Sequence, residues 1–283
     1  VKSWALKTAI SPDGKWLVCY TGSFEGLNTR ENLPITLYIV NITDGAFRKV
    51  VDVATEGYQD KLKNIASKLE KKFPEYYKPR EGISWTYGAL LMAFWSNIFS
   101  HAWSPDNRQL AFAAQIDGDS PDVYTFDLET GAIRWVEDSL RSVANIQWSP
   151  TGEYIVFKNA LLDMNYSPTS LHAVKVGEKV VKEPKPLASW WFGGVIDWLF
   201  PMVLLATDGT DTAGPTTLNA INISTGEEKN IWGGFYGEVA VDHENQLIAL
   251  TASEFTQEQD WGMHFITFDG TKKKIADGWY YNL

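Results

Sequence analysis

His101–Glu137 reads HAWSPDNRQLAFAAQIDGDSPDVYTFDLETGAIRWVE, and its local grammar is that of a small antiparallel sheet. An apolar strand ending at Ala102-Trp103 runs into Ser104-Pro105-Asp106-Asn107. Pro fixes φ there, and Asp and Asn tolerate the bend, so a tight turn is expected. A second strand follows at Gln109–Ala114, then a polar loop, then a third strand at Asp122–Leu128. Glu129-Thr130-Gly131 supplies another turn, and Ala132–Val136 makes a fourth strand. Both joins have hairpin chemistry.

The unit recurs, which decides the architecture. One copy spans Trp4–Val51, with Ser11-Pro12-Asp13-Gly14 as its first turn and Thr43-Asp44-Gly45 before its last strand. Another starts at Ile146-Gln147-Trp148 and turns at Ser149-Pro150-Thr151-Gly152. Two are more worn. One runs from Ile196-Asp197-Trp198 through Phe200-Pro201 to Ser224-Thr225-Gly226, the other from Val239 through Asp242–Asn245 to Asp269-Gly270. Turn-to-turn spacing is about 43 to 50 residues, the length of a four-stranded propeller blade, except for about 93 between the first two copies. The fold class is therefore all-β: a β-propeller of four-stranded antiparallel blades, with five recognisable repeats across residues 1–283 taken as one domain.

The extra length, residues 52–100, is an insertion that does not read as a blade. Leu62, Ile65, Ala66, Leu69 and Phe73 recur at helical steps with charged residues on other faces, and Pro74 ends the pattern. This is an amphipathic helix that packs on its own domain or on a partner. Gly82–Ser100 carries no charge, yet Ser84, Thr86, Tyr87, Ser96 and Asn97 dilute it too much for a clear transmembrane helix. It reads as a buried strand or loop, or as a surface for membrane or partner contact.

Apolar-Trp-Ser-Pro-Asp-Gly, an apolar strand, then Tyr-x-x-Asp-x-x-Thr-Gly resembles the WD-repeat-like propeller repeat of the TolB type. Trp103–Asn107 and Tyr124–Gly131 carry the likeness best, supported by Ser11–Gly14 and Trp148–Gly152. The resemblance implies a periplasmic or extracellular setting, and propellers of this kind act as binding platforms, enzyme scaffolds and gating domains of peptidases. Such propellers typically have more blades. A five-bladed ring, a sixth degenerate blade hidden in the insertion, and flanking sequence beyond either end all fit the count.

Composition narrows the partner. A net charge of −10 and a pI near 4.9 oppose nucleic acid, whose phosphates need a basic footprint. One cysteine, Cys19, excludes an internal disulfide framework. No charged segment followed by an apolar stretch opens the chain at Val1, so no signal peptide is expected within it.

In a propeller the loops joining second to third strands gather on one face. Here they are Thr21–Thr36, Ala114–Asp122, Lys158–Thr169, Thr207–Thr217 and Ala252–Gly262. They hold eleven acids against two bases, Arg30 and Lys158, and clustered like charge focuses a field. The ligand-binding candidates are Asp117, Asp119, Asp122, Asp208, Asp211, Glu254, Glu258 and Asp260, with Trp190, Trp191, Tyr236 and Trp261 as aromatic surfaces for sugars or cationic groups. Asp117, Asp119 and Asp122 could also offer oxygen ligands to calcium, although they miss the EF-hand pattern. No other cofactor is indicated.

Catalysis has thinner support. His101, His172, His243 and His264 show no metal-ligand spacing, and no Gly-x-Ser-x-Gly elbow is present. Asp197 and Glu238 could form a carboxylate pair for glycoside hydrolysis. The expected function is a non-catalytic interaction module binding a protein, peptide or glycan. The alternatives are the gating propeller of a prolyl-oligopeptidase-like serine peptidase and a glycan-processing propeller. Asn41-Ile-Thr43, Asn165-Tyr-Ser167 and Asn222-Ile-Ser224 fit the glycosylation pattern.

Overall fold

The computed structural model describes residues 4–22, 34–55, 57–72, 97–116, 121–138, 142–160, 169–177, 180–182, 186–190, 193–199, 201–208, 215–234, 236–252 and 261–277. The chain packs as two compact units, Val1–Pro186 and Leu187–Leu283.

The first unit opens with β1 (Trp4–Ile10), β2 (Trp16–Gly22), β3 (Ile35–Asn41) and β4 (Phe47–Ala54), an antiparallel sheet in chain order. Helix α1 (Tyr58–Lys72) follows, with Asp60 in its first turn, where a negative charge complements the helix dipole. The second sheet is β5 (His101–Trp103), β6 (Gln109–Ala114), β7 (Asp122–Asp127) and β8 (Ile133–Asp138), again in chain order. The third is β9 (Ser142–Trp148), β10 (Tyr154–Ala160) and β11 (Thr169–Lys175). A two-residue strand, β12 (Val181–Lys182), returns to the second sheet and pairs parallel with β8 through Glu137 and Asp138. No periodicity announces so short a strand.

The first turn of each of the first unit's three blades is a repeated hydrogen-bonded device. Ser104 Oγ donates to Asp106 Oδ1 (2.6 Å) and accepts from the Gln109 amide (2.9 Å), while Asp106 Oδ1 also accepts from the Arg108 amide (3.0 Å). Ser11, Asp13, Lys15 and Trp16 repeat this pattern at 2.6, 3.1 and 2.9 Å. In the third blade Thr151 replaces the acid, and Ser149 Oγ keeps its bond from the Tyr154 amide at 3.0 Å. Gly14 and Gly152 both sit at φ 72°, and Asn107 takes the same left-handed position at φ 59°.

Two cores hold this unit. The first joins Val18, Tyr20, Leu37 and Ile39 of one sheet to Leu110, Phe112, Tyr124 and Phe126 of the next, and Leu62, Ile65 and Ala66 of α1 are buried in it with Val53 and Ile98. Of the two readings of the helix, packing on its own domain is the observed one. The helix starts four residues before Leu62 because Tyr58, itself buried, belongs to the same apolar face. The second core joins Ala111 and Val123 to Val143, Ile155 and Phe157.

In the second unit β13 (Ala188–Trp190) is not part of the sheet that follows; β14 (Gly193–Leu199), β15 (Met202–Asp208), β16 (Pro215–Asn222) and β17 (Glu228–Gly233) form one antiparallel sheet in chain order. The last sheet is β18 (Tyr236–Asp242), β19 (Leu247–Ala252), β20 (Gly262–Thr267) and β21 (Lys272–Ala276). Leu204, Leu218, Ala220 and Ile231 pack against Ile248, Leu250 and Ile266. Antiparallel sheets of about four strands, buried against their neighbours within each unit, are the blades of a β-propeller.

Candidate functional site

The last sheet shows how the candidate loop face is built. Tyr236 opens β18 opposite Ala252, which ends β19, and Ala252 pairs with Gly262 at the start of β20. Tyr236 and Trp261, just upstream of Gly262, therefore stand at the sheet end where Glu254, Glu258 and Asp260 lie in sequence. Those three acids fall outside the described residues, as do Asp117, Asp119, Asp211 and Trp191. The Tyr236 hydroxyl is buried, and burial pushes its pKa up to about 12. Trp261 is half-buried. In the preceding sheet Asp208 ends β15 opposite Pro215, and Gly193, shortly after Trp190, pairs with Thr207. Asp208 thus stands at a strand end of this sheet, while Trp190 ends β13, which is not one of its strands.

Asp122 starts the third strand of its blade, as expected, but is buried rather than exposed on a loop rim. It begins β7 opposite Ala114 and is 2% exposed. Lys158 is also a strand residue, because β10 continues to Ala160. It is half-buried there, and desolvation lowers its pKa.

Each histidine has a defined setting. His101 Nδ1 lies 2.9 Å from the Phe99 carbonyl, with its ring 5.5 Å from that of Tyr20. Desolvation is the main cause of its lowered pKa. His172 Nε2 lies 2.7 Å from Ser170 Oγ and stacks on Phe157, while His264 packs at 4.7 Å on Trp232. His243 Nε2 meets Asp197 Oδ2 at 3.1 Å, and Asp197 Oδ1 accepts from the Trp198 amide at 2.7 Å. Asp197 is thus joined to the turn of the following blade. Among the described residues no group of three or more His, Cys, Asp or Glu side chains could hold a metal ion, and no helix is long and apolar enough to cross a membrane.

Sequence reasoning missed the opposite end of the first unit, where the first turns of successive blades leave clefts. One cavity of about 370 Å³ lies between Ser104-Pro105-Asp106 and Pro150-Thr151-Gly152, floored by Trp148. Another, about 430 Å³, is bounded by Trp16, Asp106, Arg108, Asp127 and Glu129. The available signal was the recurrence of the Ser-Pro turn in adjacent blades. Asp106 and Asp127 are already engaged: hydrogen bonds from Ser104 and from the Thr130 amide, respectively, are the leading causes holding both carboxyls below their usual range.

No model of a known protein family matches the sequence. An uncharacterized peptidase, YuxL, of Bacillus subtilis (strain 168) is 33% identical over 82 residues, which are 28% of this chain and 12% of that peptidase. The β-propeller domain of the Trilobed protease from Pyrococcus furiosus superposes with a TM-score of 0.56 at 11% identity, covering 96% of this chain and 70% of that one. TolB from Acinetobacter baumannii gives a TM-score of 0.45 at 15% identity, over 95% of this chain and 53% of its own. The chain thus spans about half the length of that TolB and a small part of the peptidase. What the protease likeness establishes is the fold, a β-propeller, in agreement with the TolB-type repeat read in the sequence.

Proposed function

We propose that this chain is a non-catalytic propeller module that binds a peptide or protein segment carrying basic groups on the loop face of its second unit. One observation carries the reading: strand register brings Tyr236 and Trp261 to the end of the last sheet from which the segment bearing Glu254, Glu258 and Asp260 departs. Aromatic faces beside carboxylates attract ammonium and guanidinium groups by charge and by cation–π contact. A fluorescein-labelled decapeptide rich in Lys and Arg should bind saturably, weaken as salt rises, and weaken further on Trp261→Ala or Asp208→Asn. An acidic peptide and a neutral oligosaccharide serve as comparison probes. Equal binding of all three, or none, overturns the reading.

The second reading is the gating propeller of a prolyl-oligopeptidase-like serine peptidase. It is favoured by the partial match to a Bacillus peptidase and by the likeness to a protease propeller. The chain itself contains no Gly-x-Ser-x-Gly elbow. This reading predicts that the genomic reading frame continues into a hydrolase domain of roughly 200 residues bearing that motif. A reading frame confined to these residues rejects it.

A further inference from the structure

Two clefts of the first unit share a wall. Asp106 and Gln109 line both the cavity of about 370 Å³ between the first turns of the second and third blades and the one of about 430 Å³ beside Trp16. Every lining residue lies between Trp16 and Gly152, so both clefts belong to this unit alone. They open at the sheet ends that carry the turns, whereas β1 begins and β12 ends at the opposite end.

The first cleft is a slot for a ring. Exposed Pro105 and Pro150 wall it above Trp148, and a methyl group on Gly152 would lie 3.8 Å from Pro105 Cδ. Trp148 Nε1 donates to the Ala102 carbonyl (3.0 Å), so the indole meets the slot with carbon rather than with its N–H. Gln109 and Thr151 add polar atoms to the lining, which suits an aromatic ring with a polar tip, a tyrosine.

The second cleft has the chemistry of a cation site. Asp106, Asp127 and Glu129 line it against one base, Arg108, beside the half-buried indole of Trp16. The turn bonds to Asp106 and Asp127, at 2.6 to 3.0 Å, end on Oδ1. Glu129 is exposed, and among the described residues its carboxylate makes no hydrogen bond or ion pair. A guanidinium or ammonium group can therefore be held by the remaining carboxylate oxygens while the turn bonds persist, with cation–π attraction from the indole. Arg48, close by, is already committed to the Leu128 carbonyl and the Phe126 ring.

We propose that the paired clefts are a peptide site reading a tyrosine and an arginine or lysine three residues apart in an extended segment. The ring enters between Pro105 and Pro150, and the cation lies among Asp106, Asp127 and Glu129. Neighbouring sheets pack about 10 Å apart and a polyproline helix advances about 9 Å in three residues, which sets the spacing. The site is separate from the loop face of the second unit and does not depend on it.

The test titrates acetyl-Gly-Tyr-Pro-Pro-Arg-Gly-amide into the full chain by calorimetry and by NMR of the labelled protein. Binding should saturate with a Kd below about 1 mM and shift the amides of Asp106–Gln109, Thr151 and Gly152. An isomer with Tyr and Arg adjacent should bind at least about threefold more weakly, having lost one cleft. Glu129→Lys should weaken the Tyr-Pro-Pro-Arg peptide by about threefold to tenfold and leave a Tyr-Pro-Pro-Ala peptide unchanged. Pro150→Ala should weaken both tyrosine peptides and spare Ala-Pro-Pro-Arg, a split that general destabilisation would not give; circular dichroism checks that each variant is folded. Trp261→Ala should change none of this. An absence of saturable binding, equal binding of the isomer, or shifts gathered at Tyr236 and Trp261 overturns the proposal.

Discussion

Replacing Ser104 with Ala removes the hub of one blade's first turn without touching the apolar core. Ser104 is 3% exposed, and its hydroxyl serves two partners, the Gln109 amide and the Asp106 carboxylate. Leaving an amide short of its acceptor costs about 1 to 3 kcal/mol when it is buried, and Gln109 is half-buried, so the lower part of that range applies. Asp106 is largely solvated, so its share is screened and adds no more than about 1 kcal/mol. A total near 2 kcal/mol is expected. The third blade provides the internal comparison. Ser149 is fully buried and bonds the Tyr154 amide at a similar distance, but its other neighbour is the neutral Thr151 at 3.3 Å. Ser149→Ala should cost about 1 kcal/mol, lacking the charge-assisted bond. Urea unfolding midpoints for the two variants test the ranking. A double-mutant cycle should give Ser104 and Asp106 a coupling of up to about 1 kcal/mol, and Ser149 and Thr151 one close to zero. Hydrogen exchange should accelerate at Gln109 in Ser104→Ala. Equal losses in the two blades, with no coupling to Asp106, would refute the account of the turn.

Gly262 sits at φ 139°, and a Cβ there would come within 2.0 Å of the Ala276 carbonyl oxygen. Gly262→Ala should unpair β20 from β21 at about 2 to 4 kcal/mol, whereas Gly14→Ala, with nothing within 4 Å, meets only the backbone penalty of about 1 kcal/mol; thermal melts of the pair decide this. Leu62→Ala should cost about 2 to 5 kcal/mol by opening the core beneath α1, while Lys63→Ala on its exposed side should be near neutral by the same measurement. Asp13, Asp106, Asp127, Asp242 and Asp269 are all held below the usual carboxylate range, Asp269 at about 2, chiefly by hydrogen bonds from side chains and amides of their own turns. Depressed carboxylates stabilise the fold above their unfolded pKa and lose that contribution as pH falls through the folded value. Melting temperature should therefore decline from about pH 4 toward pH 2, and Asp269→Asn should flatten the lowest part of that decline.

What the sequence made legible was local. Ser-Pro-Asp turns, Thr-Gly turns and two-residue alternation are set by neighbours in the chain, so β6 matches its expected bounds and β7 ends one residue early. Helix α1 was readable because Leu62, Ile65 and Ala66 mark one face. The candidate site was legible only as a grouping of loops. Tyr236 and Trp261 reach a common sheet end because hairpin register follows from the turns, but nothing in the local pattern around Asp122 announces that it is buried. Asp197 illustrates the same limit. Its observed partner is His243, 46 residues away, a contact that no local pattern announces.

Counting acids also conflates two uses of a carboxylate. Asn41, Asp127 and Asn222 occupy one position, the start of the last turn in three blades, where each side-chain oxygen accepts from an amide two or three residues on, at 2.8, 2.7 and 2.9 Å. Asn and Asp serve that turn equally, and the Thr or Ser two residues after each Asn lies within it. Two of the three glycosylation-like triplets are therefore explained by turn chemistry alone, without any modification. The acids at 13, 106, 242 and 269 are engaged in the same way by backbone amides. Such a carboxylate has less to offer a ligand, because binding would compete with bonds that hold the turn. A search for the ligand face should therefore weight acids lying between second and third strands, beyond the reach of either turn motif. In the second unit these are Asp208, Asp211, Glu254, Glu258 and Asp260.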